Sequence, residues 1–124
     1  MNELNSKQLV LAALRGLPVP RVPVAPLTVH FCARVGGVSL HRFTGDARTL
    51  ADCVIRTWER FQPDAVFVSA DTWVSAQAMG ARVGALAEDQ PWGGLGEPLV
   101  QTAADIRRIP PPDPATQGRY PLML

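Results

Sequence analysis
Cysteine is nearly absent from this chain: Cys32 and Cys53 are the only two, and they form no Cys-x-x-Cys pair. That argues against a disulfide framework and points to two free thiols in a cytoplasmic protein. Charge of one sign is missing as well. The net charge is +1, from 12 basic and 11 acidic side chains, so no basic field draws nucleic acid and no acidic tail draws a cationic partner. Long apolar runs are lacking too. Residues 1–15 are amphipathic, too short and too polar for an export signal or a membrane span. Neither an internal repeat nor a low-complexity tract interrupts the chain, and one domain over residues 1–124 is expected.

Proline, by contrast, is abundant. Twelve prolines gather at 18–26, 91–98 and 110–114, where they mark element boundaries and extended connections. With 47% hydrophobic and 19% charged residues, the composition is that of a globular domain able to bury a core. Asn5 and Gln8 have the spacing of a capping box, and Leu9, Ala12 and Ala13 carry a helix to Gly16, which suits a left-handed cap. Residues 21–27 form a short apolar run, and Pro23 and Pro26 keep it from being a long central strand. Thr28 caps a helix over 29–35, stopped by Gly36 and Gly37. Asp46 caps a stronger one, on which Leu50, Cys53, Val54, Thr57, Trp58 and Phe61 share a face. A helix over 73–79 ends at Gly80. Residues 81–86 and 97–100 read as a small hairpin across the connection 87–96. Thr102 caps a helix over 103–108, and Tyr120 and Pro121 open a further helical turn.

The chemistry concentrates in Asp64-Ala-Val-Phe-Val-Ser-Ala-Asp71. A continuous apolar run is the pattern of a strand buried on both faces, here over 65–70. It delivers Ser69 and Asp71 to the start of a helix, and in parallel α/β folds that end of a strand is where catalytic groups collect. The order strand, helix, strand, helix calls for a parallel sheet. A closed (β/α)8 barrel takes about 250 residues. The expected fold is therefore α/β, an incomplete (β/α)8 TIM barrel holding about two barrel strands, helices and a small hairpin.

Several segments, in order along the chain, resemble the N-terminal part of the uroporphyrinogen decarboxylase family. They are Asn5-Ser-Lys-Gln-Leu-Val-Leu-Ala-Ala-Leu-Arg15, Arg21-Val-Pro-Val, Glu59-Arg-Phe before Asp64-Ala-Val-Phe-Val, and Ala76-Gln-Ala-Met-Gly80. Ile109-Pro-Pro-Pro-Asp-Pro114 and Gly118-Arg-Tyr-Pro121 complete the set. That family also includes cobamide-dependent methyltransferases. The resemblance implies a (β/α)8 barrel with its active site at the C-terminal mouth of the strands. It implies either cofactor-free decarboxylation of a tetrapyrrole or methyl transfer with a corrinoid protein as substrate. In the decarboxylases a carboxylate on the strand matching 65–70 hydrogen-bonds pyrrole N–H groups, and a fixed anion beside a developing cation lowers the barrier. By that resemblance Asp71 is the candidate catalytic residue, with Ser69, Trp73, His30 and Arg34 as candidate substrate-binding residues.

Two departures qualify the match. Ala70 stands between Ser69 and Asp71, where the decarboxylases place serine directly before aspartate. Their signature Met-Arg-Gln-Ala-Gly-Arg is replaced here by Thr28-Val-His-Phe-Cys-Ala-Arg-Val-Gly36, so Arg34 is a single cation where a carboxylate-rich ligand wants several. This shifts weight toward the methyltransferase-like branch. His30-Phe-Cys32 has the His-x-Cys spacing of the zinc motif in those enzymes, but there the motif comes late in the barrel and needs a distant cysteine. No cofactor is expected within this chain; zinc belongs only to a full-length relative of that type.

Each candidate also has a plainer reading. Asp71 can cap the helix after it, Trp73 can pack against a helix layer, and His30 and the two thiols can be core groups. Trp58 and Met79 are core by default, and Arg107 and Arg108 favour a helix C-terminus. Gly93-Gly-Leu-Gly96 has neither the strand nor the Lys/Ser pair of a phosphate loop and reads as a turn. Uncovered sheet edges and helix faces imply self-association or docking on a complementary barrel chain. The chain is then inactive alone, or a non-catalytic remnant or interaction module. Asp71→Ala in a completed barrel is expected to remove activity and spare the fold.

Overall fold
The computed structural model describes residues 4–86, 91–93 and 96–124. Helix α1, Ser6–Leu14, begins at the expected capping box: Gln8 N donates to Asn5 Oδ1 at 2.9 Å and Asn5 N to Gln8 Oε1 at 3.0 Å. Gly16, at φ +69°, ends it. Three helices then build the core: α2, Val29–Gly36; α3, Leu40–Gly45; and α4, Ala47–Phe61. The sequence reading has no counterpart for α3, a single short turn-and-a-half capped by Ser39, whose Oγ accepts from Arg42 N at 3.3 Å. Asp46 caps α4 as expected, its Oδ1 accepting from Thr49 N at 2.7 Å.

Helix α2 lies so close to α4 that a Cβ on Gly36 would fall 2.3 Å from Cys53 Sγ, so only glycine fits at that crossing. Cys32 and Ala33 of α2, Leu40 and Phe43 of α3, and Leu50, Cys53 and Val54 of α4 form one buried cluster with Ala70 and Val74. The expected apolar face of α4 is thus buried from Leu50 to Thr57, but Trp58 and Phe61 are exposed. The ring of Phe61 meets that of Phe31 at 5.6 Å, at the rim of the packing. Met79 is exposed too, so neither it nor Trp58 is a core residue.

The expected strands differ more. Residues 21–27 and 65–69 are extended but join no ladder. Among the described residues the one sheet is an antiparallel hairpin of β1, Val83–Leu86, and β2, Pro91–Gly93, paired Val83 with Gly93 and Leu86 with Pro91. The first half of the expected hairpin is right, and its partner is 91–93 rather than 97–100. Of the connection expected over 87–96, residues 87–90 and 94–95 lie outside the described residues, so the glycine-rich turn is described only at its ends.

The two extended segments nevertheless meet. Asp64 N donates to Val24 O at 2.8 Å, and Val24 N donates to Asp64 Oδ2 at 2.8 Å. Arg21 closes the junction with a fork of 2.6 and 2.7 Å onto both Asp64 oxygens. Pro23 and Pro26 lack the N–H groups that would extend this single rung into a ladder. Downstream, Val66, Phe67 and Val68 are 45%, 49% and 54% exposed, so the run expected to be buried on both faces is open on both.

The Arg21 fork, and then the Val24 N–H, hold the Asp64 carboxyl well below the usual carboxylate range. Its native value lies under the unfolded value of 3.8, so its stabilisation is complete above that pH and is lost as pH falls through the native value. Asp64→Asn is therefore expected to flatten the loss of stability on acidification. Urea unfolding followed from about pH 5 to about pH 2 reads this directly, and curves of equal slope for both proteins would exclude it.

The remaining elements are short. Helix α5, Val74–Ala78, follows the extended segment; α6, Ala103–Ile106, carries a capping box between Thr102 and Asp105; a 3₁₀ turn spans Tyr120–Met123 with proline in its first turn, as expected. Among the described residues, no helix is long and apolar enough to cross a membrane.

Candidate functional site
Asp71 sits where the extended segment turns into α5. Ala70 before it is fully buried in the core cluster, which fixes the backbone there. Ser69 Oγ donates to the Asp71 carbonyl at 3.3 Å. Asp71 Oδ1 accepts the Trp73 backbone N–H at 2.7 Å, an Asx turn that leads into the helix. The side chain thus holds the turn ahead of α5 instead of capping it: the N-cap position is Trp73, which has no side-chain cap hydrogen bond. The other Asp71 oxygen, Oδ2, forms an ion pair with Arg119 Nη1. The Asp71 side chain is 0% exposed and that of Arg119 15%.

Arg119 comes from 48 residues downstream. Its Nε donates to Gln77 Oε1 at 2.6 Å, so one guanidinium bridges Asp71 and the following helix. Beside it, the Tyr120 hydroxyl and Ser75 Oγ are 3.0 Å apart. Gly118, at φ +58°, lets the chain pass so close to α5 that an added Cβ would lie 3.0 Å from Ala78 N and Cα. Arg119 Nη2 is buried and has no hydrogen-bond partner among the described residues. Sequence reasoning singled out Gly118-Arg-Tyr-Pro121 as a segment but gave Arg119 no role. A cation and a carboxylate so far apart in the chain leave no spacing signal.

The five sequence candidates fall into two places. Asp71, Ser69 and Trp73 stand together, with Trp73 partly exposed instead of packed against a helix layer. His30 and Arg34, one turn apart on α2, line a pocket of about 530 Å³ with Phe31, Val38 and Leu40, and none of the Asp71 group lines it. His30 Nε2 is buried there without a hydrogen-bond partner among the described residues. That pocket pairs an imidazole and a guanidinium with an apolar wall.

The thiols are core groups, as their plainer reading held. Cys32 and Cys53 are both buried, and Cys32 Sγ lies 3.3 Å from Thr28 Oγ1. Burial, and next the neighbouring Cys32, push the Cys53 thiol up, away from the thiolate that metals and electrophiles require. Among the described residues, no three His, Cys, Asp or Glu side chains converge as a metal site. Cys32 turns into the core while His30 lines the pocket, so the His-x-Cys pair does not fit zinc.

Comparison with curated proteins and with solved structures gave no match. A family model described as uroporphyrinogen decarboxylase (URO-D) matches residues 5–124, which take in the Asp71 cluster, the His30 pocket and the Arg119 segment together. On that match over nearly its whole length, the chain belongs to the uroporphyrinogen decarboxylase (URO-D) family.

Proposed function
We propose that this chain contributes part of a URO-D-type (β/α)8 barrel and turns over substrate only when further polypeptide completes the sheet, with Asp71 as the site carboxylate. The observation that carries this reading is the pair of extended segments 21–27 and 65–69. They are joined at Val24 and Asp64, open along the rest of their length, and lined by exposed Val22, Val24, Leu27, Val66, Phe67 and Val68. An apolar run open on both faces, which joins no ladder among the described residues, is the condition that added strands relieve. The substrate is a carboxylated tetrapyrrole or a corrinoid protein. His30 and Arg34 supply the polar end of an apolar pocket suited to a ligand carboxylate.

A second reading, a non-catalytic module docking on such a partner, is favoured by the Asp71 contacts. Both carboxylate oxygens are already engaged, and the Arg119 cation offsets the charge that would stabilise a protonated pyrrole. The same offset favours methyl transfer over decarboxylation within the first reading.

The test joins this chain to a polypeptide carrying the later strands of a family enzyme and assays tetrapyrrole decarboxylation and corrinoid methyl transfer. The expected results are self-association of the isolated chain by sedimentation, a shift to a defined complex on mixing, and activity only in the complex. Asp71→Asn in the complex should lower kcat by at least about 100-fold. Turnover by the isolated chain excludes the need for completion. A well-formed complex with no turnover, or with full activity in the Asp71→Asn form, selects the second reading.

A further inference from the structure
We infer that Arg119 is the positioning residue for Asp71: resting on the reading of Asp71 as the site carboxylate, it sets the rotation of that carboxylate from the far end of the chain. A carboxylate held by one hydrogen bond can still swing about its last torsion, which is broad and soft. Asp71 is held at two points on opposite oxygens, by the Trp73 N–H and by Arg119 Nη1. The guanidinium is a planar fork, so fixing it elsewhere fixes the direction of the N–H that reaches Asp71. Gln77 does this through Nε at 2.6 Å. The backbone carrying Arg119 is fixed in turn, because Gly118 lies against Ala78 with no room for a side chain and the Tyr120 hydroxyl is held at Ser75. Sequence-distant residues thus clamp α5 and the carboxylate ahead of it into one unit.

The arrangement differs from a tether that merely pins the 3₁₀ turn. A tether would act equally through Tyr120, whereas a positioning residue acts through the carboxylate and is felt at the atom on its other side. That atom is the Trp73 amide proton. In Arg119→Met, exchange of the Trp73 amide with solvent should accelerate at least about tenfold, because its acceptor is free to rotate away. The amides of Cys53 and Val54 in α4 report the global stability lost with the ion pair, so the tenfold is counted beyond any acceleration of theirs. Arg119→Lys, which restores a cation without the fork, should fall between the wild type and Arg119→Met. Tyr120→Phe should leave Trp73 at its wild-type rate.

The measurement is amide hydrogen exchange by NMR on the full chain. An unchanged Trp73 rate in Arg119→Met, or equal acceleration in Tyr120→Phe, overturns the assignment. Should Arg119→Met fail to fold, Gln77→Met releases the fork while keeping the ion pair; it must then speed Trp73 exchange by at least about threefold, or the assignment falls. These results read the geometry of Asp71 and not turnover. Failure here leaves the catalytic assignment to be judged by Asp71→Asn in the completed barrel.

Discussion

Asp71→Ala should lower the folding stability of this chain by about 3 kcal/mol, the low end of the range for breaking a buried ion pair. The low end applies because Arg119 keeps 15% of its side chain exposed while Asp71 keeps none. Among the described residues, removing the carboxylate leaves a mostly buried guanidinium with only Gln77 as a partner, and the Trp73 N–H without an acceptor. The cost is that of the stranded cation more than of a lost attraction. It follows that Asp71→Ala with Arg119→Met should be more stable than Asp71→Ala alone, by about 1–2 kcal/mol. Urea unfolding of the four proteins in the cycle measures this. A loss under about 0.5 kcal/mol for Asp71→Ala would mean that solvent reaches the pair and that the cluster is not a rigid seat. The expectation from sequence, that Asp71→Ala removes activity and spares the fold, concerns a completed barrel; in this chain alone the Arg119 pair makes the same change costly to folding. Asp71→Asn keeps the volume and an oxygen for the Trp73 N–H but turns an amide NH2 toward Arg119, so its functional reading is taken beside Arg119→Met with Asp71→Asn, which removes the stranded cation.

Local signals were legible in the sequence where one short stretch determines the outcome. The Asn5–Gln8 capping box, the Asp46 cap and the Gly16 terminus need only their immediate neighbours, and all are present. Helix α3 escaped because Leu40, Phe43 and Thr44 give a single turn of pattern, too short to show a period. The strands failed for another reason. Apolar patterning reports what a segment would bury, not whether its partners are at hand: 65–70 reads as a doubly buried strand, yet Val66, Phe67 and Val68 lie open and only its last residue, Ala70, is buried. Of the site, Asp71 was legible from its place after an apolar run. Arg119 was not, since its role arises only when the fold brings position 119 beside position 71. His30 and Arg34 share a turn of helix, so their joint pocket follows from spacing, yet nothing in the spacing told that it would lie apart from Asp71.

Phe43→Ala is expected to cost about 3–5 kcal/mol, the usual range for emptying a buried aromatic site. Phe43 is 0% exposed and stands among Cys32, Leu40, Leu50 and Val54, three helices meeting on one ring. Folding free energies run to about 5–15 kcal/mol, so this single change removes about a fifth of the total or more. With a urea slope of about 1–3 kcal/mol per molar, the midpoint should fall by about 1 M or more, or the transition should vanish. The effect extends to the site, because Ala70 and Val74, which bracket Asp71, belong to the same cluster. A cavity there loosens the seat of the carboxylate before it unfolds the chain. Phe67→Ala provides the contrast: on a half-exposed ring in the extended segment, it should cost under about 1 kcal/mol in the isolated chain. In a complex that covers residues 65–69, the same change should cost about 2 kcal/mol or more, since the ring is then buried. Equal costs in the two states would mean that the apolar segment stays uncovered, and the barrel-completion reading would lose its main support.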